Sequence, residues 1–224
     1  MSPHRLRGVL AVLALVTYNS WLAWRLNGDP GVLSGYLSEL AAQDQPYQWF
    51  FRLGDLAAAV VFAVIAALGR RGWSRWLGRR APQVAAVLAL VAVGTALDTL
   101  FNLPCAESRD PVCAETPSLV RHLHEAASVL VSVALVALIA LVALGMAERD
   151  GWTGRARAAV GFAVVIGALL IFSAAAPALA PGTQGWVQIL QVLACSAWMA
   201  LLAWRLEDEG QKREEDDGRR SAIR

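Results

Sequence analysis

Charged residues are scarce in this chain of 224 residues. They make up 17% of it, lysine occurs once, at Lys212, and histidine and cysteine occur three times each. Soluble globular domains carry about 25% charged and 45–50% apolar residues, whereas this chain is 57% hydrophobic with a mean hydropathy of +0.47. The composition therefore argues against a soluble enzyme, a nucleic-acid-binding protein and a disordered chain.

The hydrophobic residues gather in six long runs that are rich in Ala, Val and Leu. A membrane-spanning helix needs about 20 apolar residues, and only a helix or a closed barrel pairs its own backbone in lipid. We therefore predict an all-α polytopic membrane protein: a six-helix transmembrane domain over 1–206 and a charged, disordered cytoplasmic tail over 207–224. The predicted spans are 8–26, 50–69, 83–103, 118–146, 157–179 and 186–205.

Basic residues are divided unevenly between the two sides of this predicted bundle. The N-terminus, the loops 70–82 and 147–157 and the tail hold 16 of the 20, and the opposite side holds Arg25, Arg52, Arg109 and Arg121. Loops rich in arginine and lysine stay in the cytoplasm. We therefore predict two cytoplasmic termini in a bacterial inner membrane. Nineteen of the 20 basic residues are arginine, which is typical of a GC-rich bacterial genome.

The connection between the first two spans has a helical pattern of its own. Val32, Leu33, Tyr36, Leu37 and Leu40 recur at helical spacing. Such a pattern predicts a short amphipathic helix that lies on the outer surface of the membrane.

Ionisable side chains inside the spans are the most informative residues, because each costs about 2.5–3.5 kcal/mol at mid-membrane. They fall in the outer third of their helices, and the inner halves hold no charged residue away from their ends. This pattern favours a polar cavity that faces outward and is closed below by Ala, Val and Leu. It fits a transporter less well, because a carrier needs polar groups along a path to both sides of the membrane. The candidate residues are Arg52, Asp55, Asp98, Asn102, Arg121, His124 and Glu125.

These side chains allow a chemical interpretation. Asp98 and His124, with either Asp55 or Glu125, are ligand types that suit Zn²⁺ with an open water position. Ser38, from the predicted surface helix, would cap the site. His124 is a better candidate than His122, because it lies deeper and the two point to different faces of their helix.

A structural interpretation is open as well. Arg52 can neutralise Asp55, and Arg121 can neutralise Glu125. Asp98 and His124 can share a hydrogen bond that ties the third span to the fourth. We favour this interpretation over the metal site, because structural ion pairs also hold carboxylates and histidines together.

Two of the three cysteines share a short polar loop. Cys105 and Cys113 lie on the predicted outer side, where oxidising conditions favour a disulfide. Such a bond would pin the third and fourth spans together at the mouth of the cavity. The spacing matches neither a zinc finger nor a C-x-x-C redox site.

Three short motifs resemble one family. They are Ser38-Glu39-Leu40 followed by Pro46 and Phe50, Asp98 with Phe101 and Pro104, and Leu123-His124-Glu125-Ala126-Ala127. They resemble segments of DUF998, a prokaryotic six-helix membrane family without an established activity. The likeness covers about residues 8–205, and Ala41 replaces a glycine that is frequent in the family.

The resemblance implies that Ser38, Glu39, Asp98 and His124 belong to one site. It implies no reaction. The same layout is similar, more remotely, to the Frag1/DRAM/Sfk1 membrane proteins, which are linked to lipid and GPI-anchor handling.

Three functions follow as hypotheses. The first is a protein that binds a lipid or a partner through an outward-facing polar cavity. The second is a metal- or Ser/His/Asp-assisted hydrolase that acts on a lipid, with Ser38, Asp98 and His124 as catalytic groups. The third is a small-molecule transporter. Membrane lipids are the expected partners, nucleic acid is not, and zinc is the one cofactor suggested, though it is not favoured.

Overall fold

The fold is helical throughout the described residues, which are 3–28, 31 and 33–206. In this part of the chain the computed structural model has α- and 3-10 helices and no strand. Six of the helical segments are long and apolar enough to cross a membrane, which confirms the predicted fold class. Val32 and the predicted tail, 207–224, lie outside the described residues.

Each predicted span lies on an observed helix. The α-helices are α1 Pro3–Thr17, α2 Gln48–Gly72, α3 Ser74–Leu77, α4 Ala81–Leu100, α5 Pro111–Glu115, α6 Leu119–Asp150, α7 Gly154–Leu179 and α8 Gln184–Trp204. Shorter 3-10 helices cover Ser20–Asn27, Leu37–Ala41 and Gly78–Arg80. The first of these continues α1, and α3 leads into α4 across the third.

The long helices form a closed ring in chain order. α2 packs on α4, α4 on α6, α6 on α7 and α7 on α8, and α1 closes the ring between α8 and α2. In this arrangement, long helices that follow one another in the chain lie side by side, as in antiparallel bundles. We call the end that holds loop 73–80 and the last turn of α8 the terminal end. The loop end is formed by residues 33–47, 101–118 and 180–183.

Apolar side chains fill the ring from its middle to the terminal end. Phe62, Ile65, Leu88 and Leu138 are completely buried there. Trp73 closes this end: its ring is buried and its Nε1 donates to the carbonyl oxygen of Leu202 over 3.0 Å. The predicted closure of the bundle by Ala, Val and Leu side chains is therefore present toward the terminal end.

The first span is broken. The α-helix ends at Thr17, and a 3-10 helix follows over Ser20–Asn27. Asn19 stabilises the break, because its Nδ2 donates to the carbonyl oxygen of Leu15 over 2.7 Å and to Ser196 Oγ on α8 over 2.9 Å. Lipid offers a carbonyl no hydrogen-bond donor, so the side chain supplies one. The break directs three side chains toward the ring axis: Tyr18, Ser20 and Trp21.

Residues 33–47 form a roof over the loop end. The predicted surface helix is present as the short 3-10 helix Leu37–Ala41, and three of its five residues are buried inside the protein. Leu33 and Leu40 are buried, and the segment packs against α2 and α8. Five residues in a 3-10 helix give too small an apolar face for stable membrane binding, whereas packing between the helices buries these side chains fully.

A proline in α7 provides an anchor for the roof. Pro177 has no N–H, so the carbonyl of Ser173, four residues earlier, loses its helical donor. Tyr36 Oη donates to that oxygen over 3.2 Å, and Ser173 is buried. The side chain from the roof thus replaces a backbone hydrogen bond inside a membrane helix.

We predict that Tyr36→Phe lowers the free energy of unfolding by about 0.5–1.5 kcal/mol, the net contribution of one hydrogen bond. In a Pro177→Ala background the same substitution should cost less, because the alanine N–H donates to Ser173. Unfolding of the four proteins in detergent measures this double-mutant cycle. Equal costs in both backgrounds would contradict the role of Tyr36.

Candidate functional site

A polar cavity of about 160 Å³ lies on the ring axis beneath the roof. Side chains from the broken first span, the roof, α2, α4, α6 and α8 line it. The polar groups are the carboxyl groups of Asp55 and Asp98, the amides of Gln188 and Gln191, and several hydroxyl groups. Among the described residues, no arginine, lysine or histidine belongs to the lining.

Asp55 lies about 10 Å below the start of α2, at the rise of 1.5 Å per residue. Gly54 permits this position, because a Cβ there would come within 2.6 Å of Ser20 Cβ and force α2 away from the broken span. The described residues supply no hydrogen bond or ion pair to the Asp55 carboxylate, and the residue is half-buried. It faces the cavity without a partner.

Asp98 is held by two residues of α6. Ser128 Oγ donates to Asp98 Oδ1. His124 Nδ1 lies 3.4 Å from the same carboxylate oxygen and 3.1 Å from the backbone oxygen of Asp98. His124 is buried behind Asp98 and does not line the cavity. The structure therefore contains the predicted link between Asp98 and His124, and it leaves His122 exposed.

The predicted pairing of Arg52 with Asp55 is wrong. The guanidinium of Arg52 lies over the ring of Trp49 at 4.3 Å from its centroid. A cation on an aromatic face is stabilised by the ring quadrupole. Arg52 therefore contacts Trp49 and does not neutralise the charge of Asp55. Arg52 also lies outside the cavity lining.

The predicted pairing of Arg121 with Glu125 is also wrong. Arg121 forms an ion pair with Glu107 and donates to the carbonyl oxygen of Ala114 over 2.7 Å. Glu125 is exposed and lies 3.3 Å from His122 Nδ1. Both residues were candidates for the site, and neither lines the cavity.

The loop that Arg121 holds contains the predicted disulfide. The sulfurs of Cys105 and Cys113 lie at bonding distance, and their Cα atoms are 6.5 Å apart. A second guanidinium nitrogen of Arg121 donates to the carbonyl oxygen of Cys113. The loop is thus fastened to the first turn of α6, beside the roof.

Glu39 and Asn102 hold the roof and do not line the cavity. Glu39 is buried and accepts from the backbone N–H of Tyr36 over 3.1 Å and from the backbone N–H and the hydroxyl of Ser108. Burial raises the pKa of Glu39, and these hydrogen bonds partly oppose it. Asn102 Nδ2 donates to the carbonyl oxygen of Ala41 over 2.7 Å.

Ser38 does line the cavity, together with Asp55 and Asp98. Of the four residues that the resemblance assigned to one site, Ser38 and Asp98 face the cavity, and Glu39 and His124 lie behind them. The latter two therefore position the roof and Asp98 respectively.

The sequence indicated that Gln188 and Gln191 share one face of the last span and form hydrogen bonds between helices, but it did not assign them to the site. Gln188 and Gln191 line the cavity, and Gln188 Oε1 accepts from the backbone N–H of Leu37 over 2.6 Å. Two glutamines three residues apart in an apolar span share one face of a helix. That signal was available, but nothing in the sequence indicates that this face meets the roof.

The arrangement does not gather metal ligands. Among the described residues, no group of three or more His, Cys, Asp or Glu side chains is placed to hold a metal ion. Glu125 points away, and His124 lies outside the cavity that Asp55 lines. The zinc site stays a prediction.

Comparison with known proteins assigns the chain to a family. A family model described as "Protein of unknown function (DUF998)" matches residues 5–205. The chain belongs to this family. No curated protein and no solved structure matches it. Because the DUF998 description gives no activity, the function has to be inferred from the cavity.

We predict that Gly35→Ala destabilises the roof. An added Cβ would come within 2.3 Å of Ser108 Oγ and 2.5 Å of the Glu39 carboxylate, and overpacking of this kind costs about 1–3 kcal/mol. Gly161→Ala on α7 is the control, since nothing lies within 4 Å of its added Cβ. Thermal unfolding in detergent should show a lower transition temperature for the first variant only, and equal transitions would contradict the tight contact.

Proposed function

We propose that this DUF998 protein binds a small polar ligand in its loop-end cavity, either a lipid headgroup or a free molecule of the same chemistry. It lies in the bacterial cytoplasmic membrane with both termini in the cytoplasm, so the cavity faces outward. The distribution of basic residues, 16 of 20 on the terminal side, supports this orientation.

The observation that carries the proposal is the unpartnered carboxylate of Asp55. An ionisable group inside a membrane protein is costly and is normally paired with a neighbouring group or marks a ligand pathway. Asp98 has Ser128 and His124 as partners, but Asp55 has none among the described residues. A bound polar ligand would provide the missing contacts.

The apolar core favours binding over transport. Val131 and Leu135 line the lower part of the cavity, and completely buried side chains follow below them, including Leu138 and Phe62. A carrier needs polar groups along a path to both sides. In the described core the buried polar side chains lie between the loop end and the level of Ser196, and none lies nearer the terminal end, so the transporter hypothesis has less support.

The order of contacts favours binding over hydrolysis. In a serine hydrolase the histidine stands between the nucleophile and the carboxylate, so that it can take the hydroxyl proton. Here Asp98 stands between Ser128 and His124. Within the described residues no hydrogen bond joins His124 to Ser38 or Ser128. The hydrolase hypothesis stays a prediction.

We predict that Ser132→Phe, which fills the cavity, abolishes stabilisation of the protein by its ligand. Polar lipid extracts and small polar solutes should raise the unfolding temperature of the wild type. They should do the same for Val133→Phe, which places the same side chain at an exposed position of the same helix. Equal responses in both variants would place the bound molecules on the outer surface and contradict the proposal.

The orientation has its own prediction. In intact cells, a membrane-impermeant maleimide should label the protein only after an impermeant reductant opens the bond between Cys105 and Cys113. Cys195 should stay unlabelled because it is buried. A variant with Cys105→Ser and Cys113→Ser is the control and should not react. Labelling of the wild type only after lysis would contradict an outward loop end.

A further inference from the structure

We propose that the group bound in the cavity is a cation, specifically an organic ammonium group held between Asp55 and Asp98. This inference rests on the proposed function and names the chemical class of its ligand. It follows from the two carboxylates, the remaining lining, the placement of the nearby cations and the size of the cavity.

The two carboxylates reach the cavity from neighbouring helices, Asp55 from α2 and Asp98 from α4. Both belong to the lining of the same cavity of about 160 Å³. Like charges repel strongly at a site that water hardly screens. A cation between them would relieve this repulsion and provide Asp55 with its missing partner.

Aromatic side chains complete the site. Tyr18, Trp21 and Phe51 belong to the lining together with the two aspartates. Carboxylates combined with aromatic rings recognise ammonium groups, since the rings stabilise a cation without donating hydrogen bonds. The hydroxyl groups of Ser38 and Ser132 are further acceptors for ammonium N–H groups.

Arginine side chains near the loop end contact residues that do not line the cavity, or pair with them, as follows. Arg25 lies over the ring of Trp24 at 5.2 Å, Arg52 over Trp49, and Arg121 pairs with Glu107. His124 contacts Asp98 from behind and is not part of the lining. A phosphate or carboxylate ligand would therefore meet two carboxylates and no cation, and the site disfavours it.

The size of the cavity distinguishes an organic cation from a metal ion. Its volume of about 160 Å³ is much larger than a desolvated metal ion and has room for an ammonium group with a few carbon atoms. A whole lipid does not fit. If the source is a lipid, only its headgroup enters.

The test compares free cations with neutral and anionic probes of similar size. Choline and ethanolamine should raise the unfolding temperature of the detergent-purified protein. The neutral isostere 3,3-dimethyl-1-butanol and inorganic phosphate should not. Vesicles of phosphatidylethanolamine, set against vesicles of phosphatidylglycerol, distinguish a lipid headgroup from a free amine, because only the former carry an ammonium group.

Asp55→Asn is the decisive variant, and it should weaken binding of the ammonium probe at least about tenfold. It removes an unpartnered charge, so it should fold at least as well as the wild type. Glu125→Gln is the matched control: it makes the same charge change at the same end, on an exposed residue outside the cavity. Its affinity for the probe should be that of the wild type.

The outcomes separate this inference from the proposed function. If the neutral isostere or phosphate binds as well as choline, and Ser132→Phe abolishes that binding, the site does not select a cation. The inference is then wrong, and the proposed binding function stands. If Asp55→Asn and Glu125→Gln lose affinity equally, the cation is not held at Asp55 and the inference is overturned. If no probe or vesicle binds, or Ser132→Phe leaves all binding unchanged, the binding function itself fails.

Discussion

The structure depends on one constraint: a carbonyl or a carboxylate below the membrane surface must find its partner inside the protein. The chain meets this constraint with side chains where its helices are irregular. Asn19 donates a hydrogen bond to the carbonyl oxygen of Leu15 at the break in the first span. Tyr36 donates to the carbonyl oxygen of Ser173, which Pro177 leaves without its helical donor. The broken span borders the cavity and adds the Ser20 hydroxyl to the polar groups that α2, α4, α6 and α8 supply.

The two ends of the ring differ for the same reason. Toward the terminal end alanine, valine and leucine fill the core, and Trp73 closes it with one hydrogen bond to the carbonyl oxygen of Leu202. At the loop end Glu39, Asn102 and Gln188 each donate to or accept from another segment, which fixes the roof over the cavity. The polar residues at the loop end therefore hold the cavity in shape as well as giving it its chemical character.

The sequence predicted the long helices well, because hydrophobic length in a membrane leaves few alternatives. It also predicted the link between Asp98 and His124 and the proximity of Cys105 and Cys113. It failed where two neighbours compete for one side chain and where packing between segments decides burial. Arg52 and Asp55 are close along α2, but the competition with Trp49 is decided by side-chain placement. The burial of the roof likewise depends on space between helices that no periodicity reveals.

The closure of the ring by its first and last helices has a consequence for biogenesis. Helices enter a membrane in the order of synthesis, but α1 acquires its neighbour α8 only when the final span arrives. Until then Asn19 lacks Ser196, and the growing protein lacks the glutamines that complete the site. The cavity is therefore the last part to be completed, and a chain released before its final span carries an open ring.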